Sequence, residues 1–235
     1  MFKIGKTKIS KENRPYIIAE ACINHEGNIN IAKQMVKLAS KAGASAIKFQ
    51  MHVLDDEMLR KTPKSKNFKE NLYDALKRTN LTIKEHIYLK KYCKDNRIDY
   101  LCTPFSRKSA DILFKDVKVN VFKIGSGELT NLPLQIHIAK KKLPTIISTG
   151  MSTMNEVTET FNEVYKINKK IALTQCTSVY PCPSKYSDIG VIKEYIKKFK
   201  IPIGLSDHTN NIYTCLGAIA LGACIIEKHF TLNKK

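Results

Sequence analysis

Two lysines, two histidines and two glutamates stand where their chemistry would count. Lys48 interrupts the apolar run AIKFQ, and Lys123 interrupts VFKIGSGE. An ammonium group is almost never buried without a partner, so two lysines in equivalent apolar runs call for an anion. The competing reading has each one snorkel to solvent. The clusters SGE, STGM, CTS and LSD add Ser126, Ser148, Thr149, Thr177, Ser178 and Ser206. Hydroxyls and glycine-exposed amides beside ammonium groups make a phosphate cradle.

His208 in SDHT and His229 in EKHF each follow an apolar run. On neighbouring strands, two imidazoles could hold a divalent transition metal and leave positions for water and substrate; a structural role for each is the alternative. Glu20 and Glu128 are the carboxylates best placed to move protons or grip substrate hydroxyls, although Glu20 could instead form an ion pair with a barrel lysine. Asp207 could orient a ligand histidine through a second layer of contacts. Cys102 and Cys176 lie close by, with nothing in the sequence to activate either as a nucleophile.

These residues need a frame that gathers them. Eight apolar runs end in polar clusters: Tyr16 to Gly27, Ala46 to Gln50, Asp99 to Ser106, Val121 to Glu128, Thr145 to Met151, Ile171 to Pro181, Pro202 to Thr209 and Cys224 to Phe230. Apolar runs without strict alternation suit strands buried on both faces. Helical signals fill the gaps. Ile31, Met35, Leu38 and Ala42 recur at helical spacing before Gly43, Thr82 with Glu85 and Thr153 with Glu156 form capping boxes, and a helix over 211–221 closes on Gly222. Alternating strand and helix predicts an α/β fold, a (β/α)8 TIM barrel in which the strand ends share one mouth. Residues 51–80 form an insertion expected to fold over that mouth, and MFKIGKTKIS predicts a small hairpin or a disordered arm. Only TLNKK follows Phe230, so the barrel is expected to be truncated after its eighth strand.

At 235 residues the chain suits one domain. No run is apolar enough for a membrane span or signal peptide, and the seven cysteines form no disulfide framework, so a soluble, cytoplasmic protein is expected. Forty Lys and Arg against 21 Asp and Glu give a net charge of +19. The lysines spread over helix-like faces without aromatic interleaving, which argues against nucleic acid and leaves a field that could gather a small anion.

The ordered set of motifs carries a resemblance. NHEG after IIAEACI, then KFQ, CTPFS, KIGSGE with TNLPL, STGM, QCTSVYP, GLSDHT with CLGAIALGA, and EKHFTL resemble the sialic acid synthase family from Tyr16 to Leu232. NHEG, QMHVLDDEM and LSDHT look more like its N-acetylneuraminate and legionaminate branches than its pseudaminate branch. The resemblance implies condensation of phosphoenolpyruvate with an N-acetylated amino sugar, N-acetylmannosamine or a 2,4-diacetamido relative, to give a nine-carbon 2-keto acid and phosphate. It implies a divalent metal on His208 and His229, manganese above all, with magnesium or cobalt as alternatives. Lys48, Thr103, Lys123, Ser126, Ser148, Ser178 and Ser206 match the phosphoenolpyruvate site. Ser178 stands where asparagine is frequent. Gln50, Tyr180, Glu20 and Glu128 match the sugar side. The family forms homodimers and carries a C-terminal antifreeze-like domain that residues 1–235 are expected to lack. A different phosphoenolpyruvate-dependent synthase and a non-catalytic barrel fragment are the competing readings.

Overall fold

The computed structural model describes residues 2–61, 64 and 70–233. In chain order the elements are β1 (Phe2–Ile4), β2 (Thr7–Ile9), β3 (Tyr16–Glu20), α1 (Ile29–Lys41), β4 (Ala46–Met51), α2 (Leu72–Thr79), α3 (Ile83–Asp95), β5 (Asp99–Pro104), α4 (Arg107–Ile112), β6 (Phe122–Ile124), α5 (Leu132–Ala139), β7 (Thr145–Ser148), α6 (Met154–Ile167), β8 (Ile171–Cys176), α7 (Val191–Phe199), β9 (Ile203–Asp207), α8 (Tyr213–Ala220) and β10 (Ile225–His229). The strands β3 to β10 belong to one eight-stranded sheet, and the α/β fold is that of a (β/α)8 barrel. All eight predicted strands are present.

The chain divides into two compact units. The first joins the segment up to Ala19 with Asn120–His229. Its strands run in parallel register: Lys123 pairs with Ile146, Ser148 with Thr174, Cys176 with Ser206, and Glu227 with Ser206. Because side chains alternate faces along a strand, those pairings decide which polar groups meet. Gly204 explains how tightly the strands pack there. A Cβ on it would lie 2.5 Å from the Ile225 carbonyl oxygen and 2.7 Å from Ile225 Cβ. The N-terminal residues form the predicted hairpin, β1 antiparallel to β2, with Ile4 and Ile9 buried.

The second unit comprises Glu20–Val119 with the segment from Phe230. Here β4 pairs with β5, Lys48 opposite Leu101 and Gln50 opposite Thr103. Helix α1 buries Ala32, Met35, Val36 and Ala39, whereas Leu38 is 45% exposed, so its inner face lies one step away from the predicted stripe. Gly43 follows with φ +81°, the left-handed conformation that ends a helix cheaply only at glycine. The Thr82 and Thr153 capping boxes are both formed, opening α3 and, in the first unit, α6. Of the insertion, a 3-10 turn at Leu54–Asp56 and helix α2 are described. Its expected fold over the mouth rests largely on residues 62–63 and 65–69, which lie outside the described residues. Among the described residues no helix is long and apolar enough to cross a membrane, and the seven cysteines are all free.

Candidate active site

Lys123 is the most enclosed charge in the first unit, 1% exposed. Strand β6 is apolar on both sides of it, so the ammonium group has to find its partners inside. It donates to Ser148 Oγ at 2.6 Å and to the Ile124 carbonyl at 3.4 Å, and it faces Glu227 Oε1 at 3.4 Å. Ser148 Oγ bonds Thr174 Oγ1 at 2.8 Å, and Ser206 Oγ donates to Glu227 Oε1 at 3.0 Å. One polar chain therefore runs from Thr174 through Ser148, Lys123 and Glu227 to Ser206, drawn from five strands.

A hydroxyl and amide cradle lies in the same unit. The Gly150 amide donates to Ser126 Oγ at 3.0 Å. A Cβ on Gly150 would stand 2.4 Å from Ser178 Oγ and 2.7 Å from Ser126 Oγ. Only glycine lets both hydroxyls close on that backbone, and exposed amides with hydroxyls suit an anion. Glu128 is half-buried on the 3-10 turn Ser126–Glu128, where its Oε2 accepts from Asn131 Nδ2 at 2.7 Å. The carboxylate against Lys123 is Glu227, which sequence reasoning passed over. Its signal was the two-residue spacing from His229, which sets both on one face of β10.

The histidines stand at matched positions. Asp207 pairs with Lys228 in the register, so His208 and His229 each come one residue later. Their rings are 5.4 Å apart, with Tyr180 at 4.0 Å from His208 and 5.7 Å from His229. His208 Nδ1 donates to the Thr177 carbonyl at 2.9 Å. A carbonyl only accepts, so Nδ1 carries a proton, and in the neutral ring Nε2 is the nitrogen left to ligate a metal. Among the described residues no group of three or more His, Cys, Asp or Glu could hold a metal ion. Two imidazoles are a donor set that fits a divalent transition ion completed by water and substrate.

Burial disfavours both charged forms at Cys176 and His208, yet their contact overrides it. Cys176 Sγ is 3.9 Å from His208 Nδ1 and 3.7 Å from Ser178 Oγ, and the thiol is held below its ordinary range while the imidazole is raised. Cys102, the other cysteine noted in the sequence, is pushed up by burial to about 12. Behind the histidines, Asp207 accepts from Lys228 Nζ at 2.5 Å and from the Thr209 amide at 3.0 Å.

In the second unit Lys48 is 4% exposed and pairs with Glu20 at 2.8 Å, while donating to Thr103 Oγ1 at 3.2 Å. Neither lysine snorkels. Glu20 is thus an ion-pair partner, one of the two roles expected of it. Gln50, two residues along β4, bonds His52 at 3.2 Å. His52 with Glu57 went unread in the sequence, because Glu57 comes from a turn whose path no periodicity reveals.

A model described as the NeuB family matches residues 35–235. The chain belongs to the NeuB family. Among NeuB relatives, it is 38% identical over 227 residues to N,N'-diacetyllegionaminic acid synthase of Campylobacter jejuni, covering 93% of this chain and 68% of that protein. It is 41% identical over 234 residues to an uncharacterized protein of Methanocaldococcus jannaschii, covering 99% of this chain and 66% of the other. The chain thus spans about two thirds of the length of these curated relatives. The crystal structure of an N-acetylneuraminic acid synthetase from Leptospira borgpetersenii, in complex with citrate, superposes with a TM-score of 0.87 at 33% identity, over 99% of this chain and 78% of that one.

Proposed function

We propose that the chain condenses phosphoenolpyruvate with an N-acetylated amino sugar to give a 2-keto sugar acid and phosphate. The observation that carries this reading is the buried Lys123 network beside the Gly150 cradle, in a member of the NeuB family. A phosphate with a carboxylate asks for fixed cationic and hydroxyl donors in a dry site, where such groups act most strongly. Lys123, Ser126, Ser148, Ser178 and Ser206 supply them, and the family resemblance adds Lys48 and Thr103. Gln50, Tyr180, Glu20 and Glu128 are assigned to the sugar on the same ground. The legionaminic acid synthase relative supports a 2,4-diacetamido sugar as acceptor, with N-acetylmannosamine the simpler alternative.

In the reaction, carbon 3 of phosphoenolpyruvate attacks the aldehyde carbon of the open-chain sugar. The aldehyde oxygen becomes a hydroxyl by taking a proton, and water adds at carbon 2 as it gives one up. Loss of phosphate from carbon 2 then leaves the ketone. Lys123 with its hydroxyl partners holds the phosphoryl and carboxylate oxygens while negative charge shifts toward the leaving phosphate. The carboxylates Glu20 and Glu128 move protons at the sugar oxygens. His208 and His229 would hold a divalent ion, most simply manganese, which supplies Lewis-acid polarisation of the aldehyde.

The test follows phosphate release and product mass with phosphoenolpyruvate, manganese and each sugar, against a His208→Ala control. Sugar-dependent release of phosphate with a new keto acid supports the reading. Phosphate release that is independent of sugar, or unchanged in the control, rejects it.

A further inference from the structure

The turn after β4 holds contacts that the proposed reaction leaves unused. Lys48, Gln50 and His52 recur two apart, which puts them on one face of the chain as it leaves the strand. His52 is 7% exposed and its ring is engaged on every side. Nδ1 lies 2.7 Å from Glu57 Oε1, Nε2 lies 3.2 Å from Gln50 Oε1, and Phe105 stacks on the ring with 4.4 Å between centroids. The Asn80 side chain donates to the His52 carbonyl at 3.0 Å. Glu57 has a side chain only 3% exposed, and its second oxygen, Oε2, is buried without a hydrogen-bond partner.

A carboxylate oxygen accepts, so Nδ1 carries a proton for Glu57 while Nε2 faces the Gln50 amide. Burying such a pair costs desolvation that a purely structural staple of apolar side chains would avoid. What the pair reaches is Gln50. An unrestrained amide can turn either its carbonyl or its NH2 toward a ligand. This one is held by His52 and by a side-chain hydrogen bond to Cys22, a thiol that burial keeps neutral.

We propose that the Glu57–His52 pair is a positioning device that fixes the Gln50 amide in one orientation for the acceptor sugar. A fixed polar group rejects a ligand lacking its match far better than a rotating one, because the group is then stranded. The inference rests on the reading of Gln50 as a sugar contact.

Glu57→Ala should raise the KM for the sugar by about tenfold, with kcat and the KM for phosphoenolpyruvate each within about threefold of the unmodified chain. Glu57→Gln, which keeps an acceptor for Nδ1, should recover most of the loss, and His52→Gln serves if the alanine variant does not fold. On a Gln50→Ala background the same change should add nothing further. Parallel loss for both substrates, or additive losses in the double variant, would overturn the proposal. A readout independent of turnover is the side-chain NMR of 15N-labelled histidine and glutamine. His52 Nδ1 should be protonated, and the Gln50 amide signal should move in Glu57→Ala. An unmoved Gln50 signal rejects the positioning role whatever the substrate, whereas a moved signal in a chain that turns over no N-acetyl amino sugar rejects the proposed function and leaves the lock standing.

Discussion

Lys123 and Glu227 face each other at 3.4 Å with side chains 1% and 7% exposed, an ion pair formed inside a single unit of the fold. Removing one partner of such a pair leaves the other charge stranded, which costs about 3 to 5 kcal/mol. Lys123→Met should therefore lower stability to urea by that order and abolish phosphate release. Adding Glu227→Gln should restore part of the stability and none of the turnover. Equal stability in the single and double variants would argue against coupling.

Gly150 makes a different prediction, since a new Cβ would strike the ends of two serine side chains and stand 3.1 Å from the Cys176 carbonyl oxygen. Gly150→Ala should lower the urea midpoint only slightly, because the hydroxyls can turn aside and the carbonyl need give only a little. It should raise the KM for phosphoenolpyruvate about tenfold, on the scale that misplaced catalytic groups produce. Removing Ser126 Oγ in the Gly150→Ala, Ser126→Ala pair should not recover affinity, because the cradle loses a donor. Initial-rate kinetics against phosphoenolpyruvate decides the matter.

Gly204→Ala meets backbone instead, at 2.5 Å from the Ile225 carbonyl oxygen. The strand pair cannot yield locally, so a loss of about 1 to 3 kcal/mol is expected from overpacking. Chemical denaturation measures it directly, and a neutral result would mean that β9 and β10 can separate.

Stability should also depend on pH through two buried imidazoles away from the proposed metal ligands. Burial pushes His25 down to about 4 and His86 down to about 3, and His86 has a ring nitrogen, Nε2, without a hydrogen-bond partner. The native chain keeps both neutral while the unfolded chain protonates each near 6.5, so the unfolded state binds more protons below that pH. Their contribution is complete above 6.5 and falls as the pH drops toward 4, by up to about 1.4 kcal/mol per pH unit for each group. Urea midpoints at pH 7 and 5.5 test this, with His86→Asn expected to flatten the slope.

Asp207 and Lys228 pair with each other one residue before the histidines. If the proposed ion sits on His208 and His229, Asp207→Asn should weaken manganese binding about tenfold in calorimetry, in the range seen for partners behind metal ligands. Lys228→Met should do the same. Unchanged affinity in both would remove these two residues from the site.

Much of this was legible in the chain itself. Lysines set in apolar strands stood out because their burial demands an explanation, and both prove buried against carboxylates. Capping boxes at Thr82 and Thr153 were legible because the signal is local. The stripe on α1 was misread by one step since Ile31, Val36 and Leu38 allow two apolar faces, and the small Ala32 and Ala39 pack inward instead. Glu227 and Glu57 were missed for another reason. A carboxylate gains meaning only from the partner it meets, and their partners are 104 and 5 residues away in positions set by tertiary register and by a turn.

The parallel register of β9 and β10 has a consequence for how this chain can vary. Ser206 stands opposite Glu227 and Asp207 opposite Lys228, with a histidine next in each strand. Losing or gaining one residue within either strand would turn every later side chain through the sheet, exchanging a histidine for the aspartate or lysine behind it. Two-residue changes keep the facing but shift the histidine by about 7 Å along the strand. Neither strand can shift its register alone without parting His208 from His229.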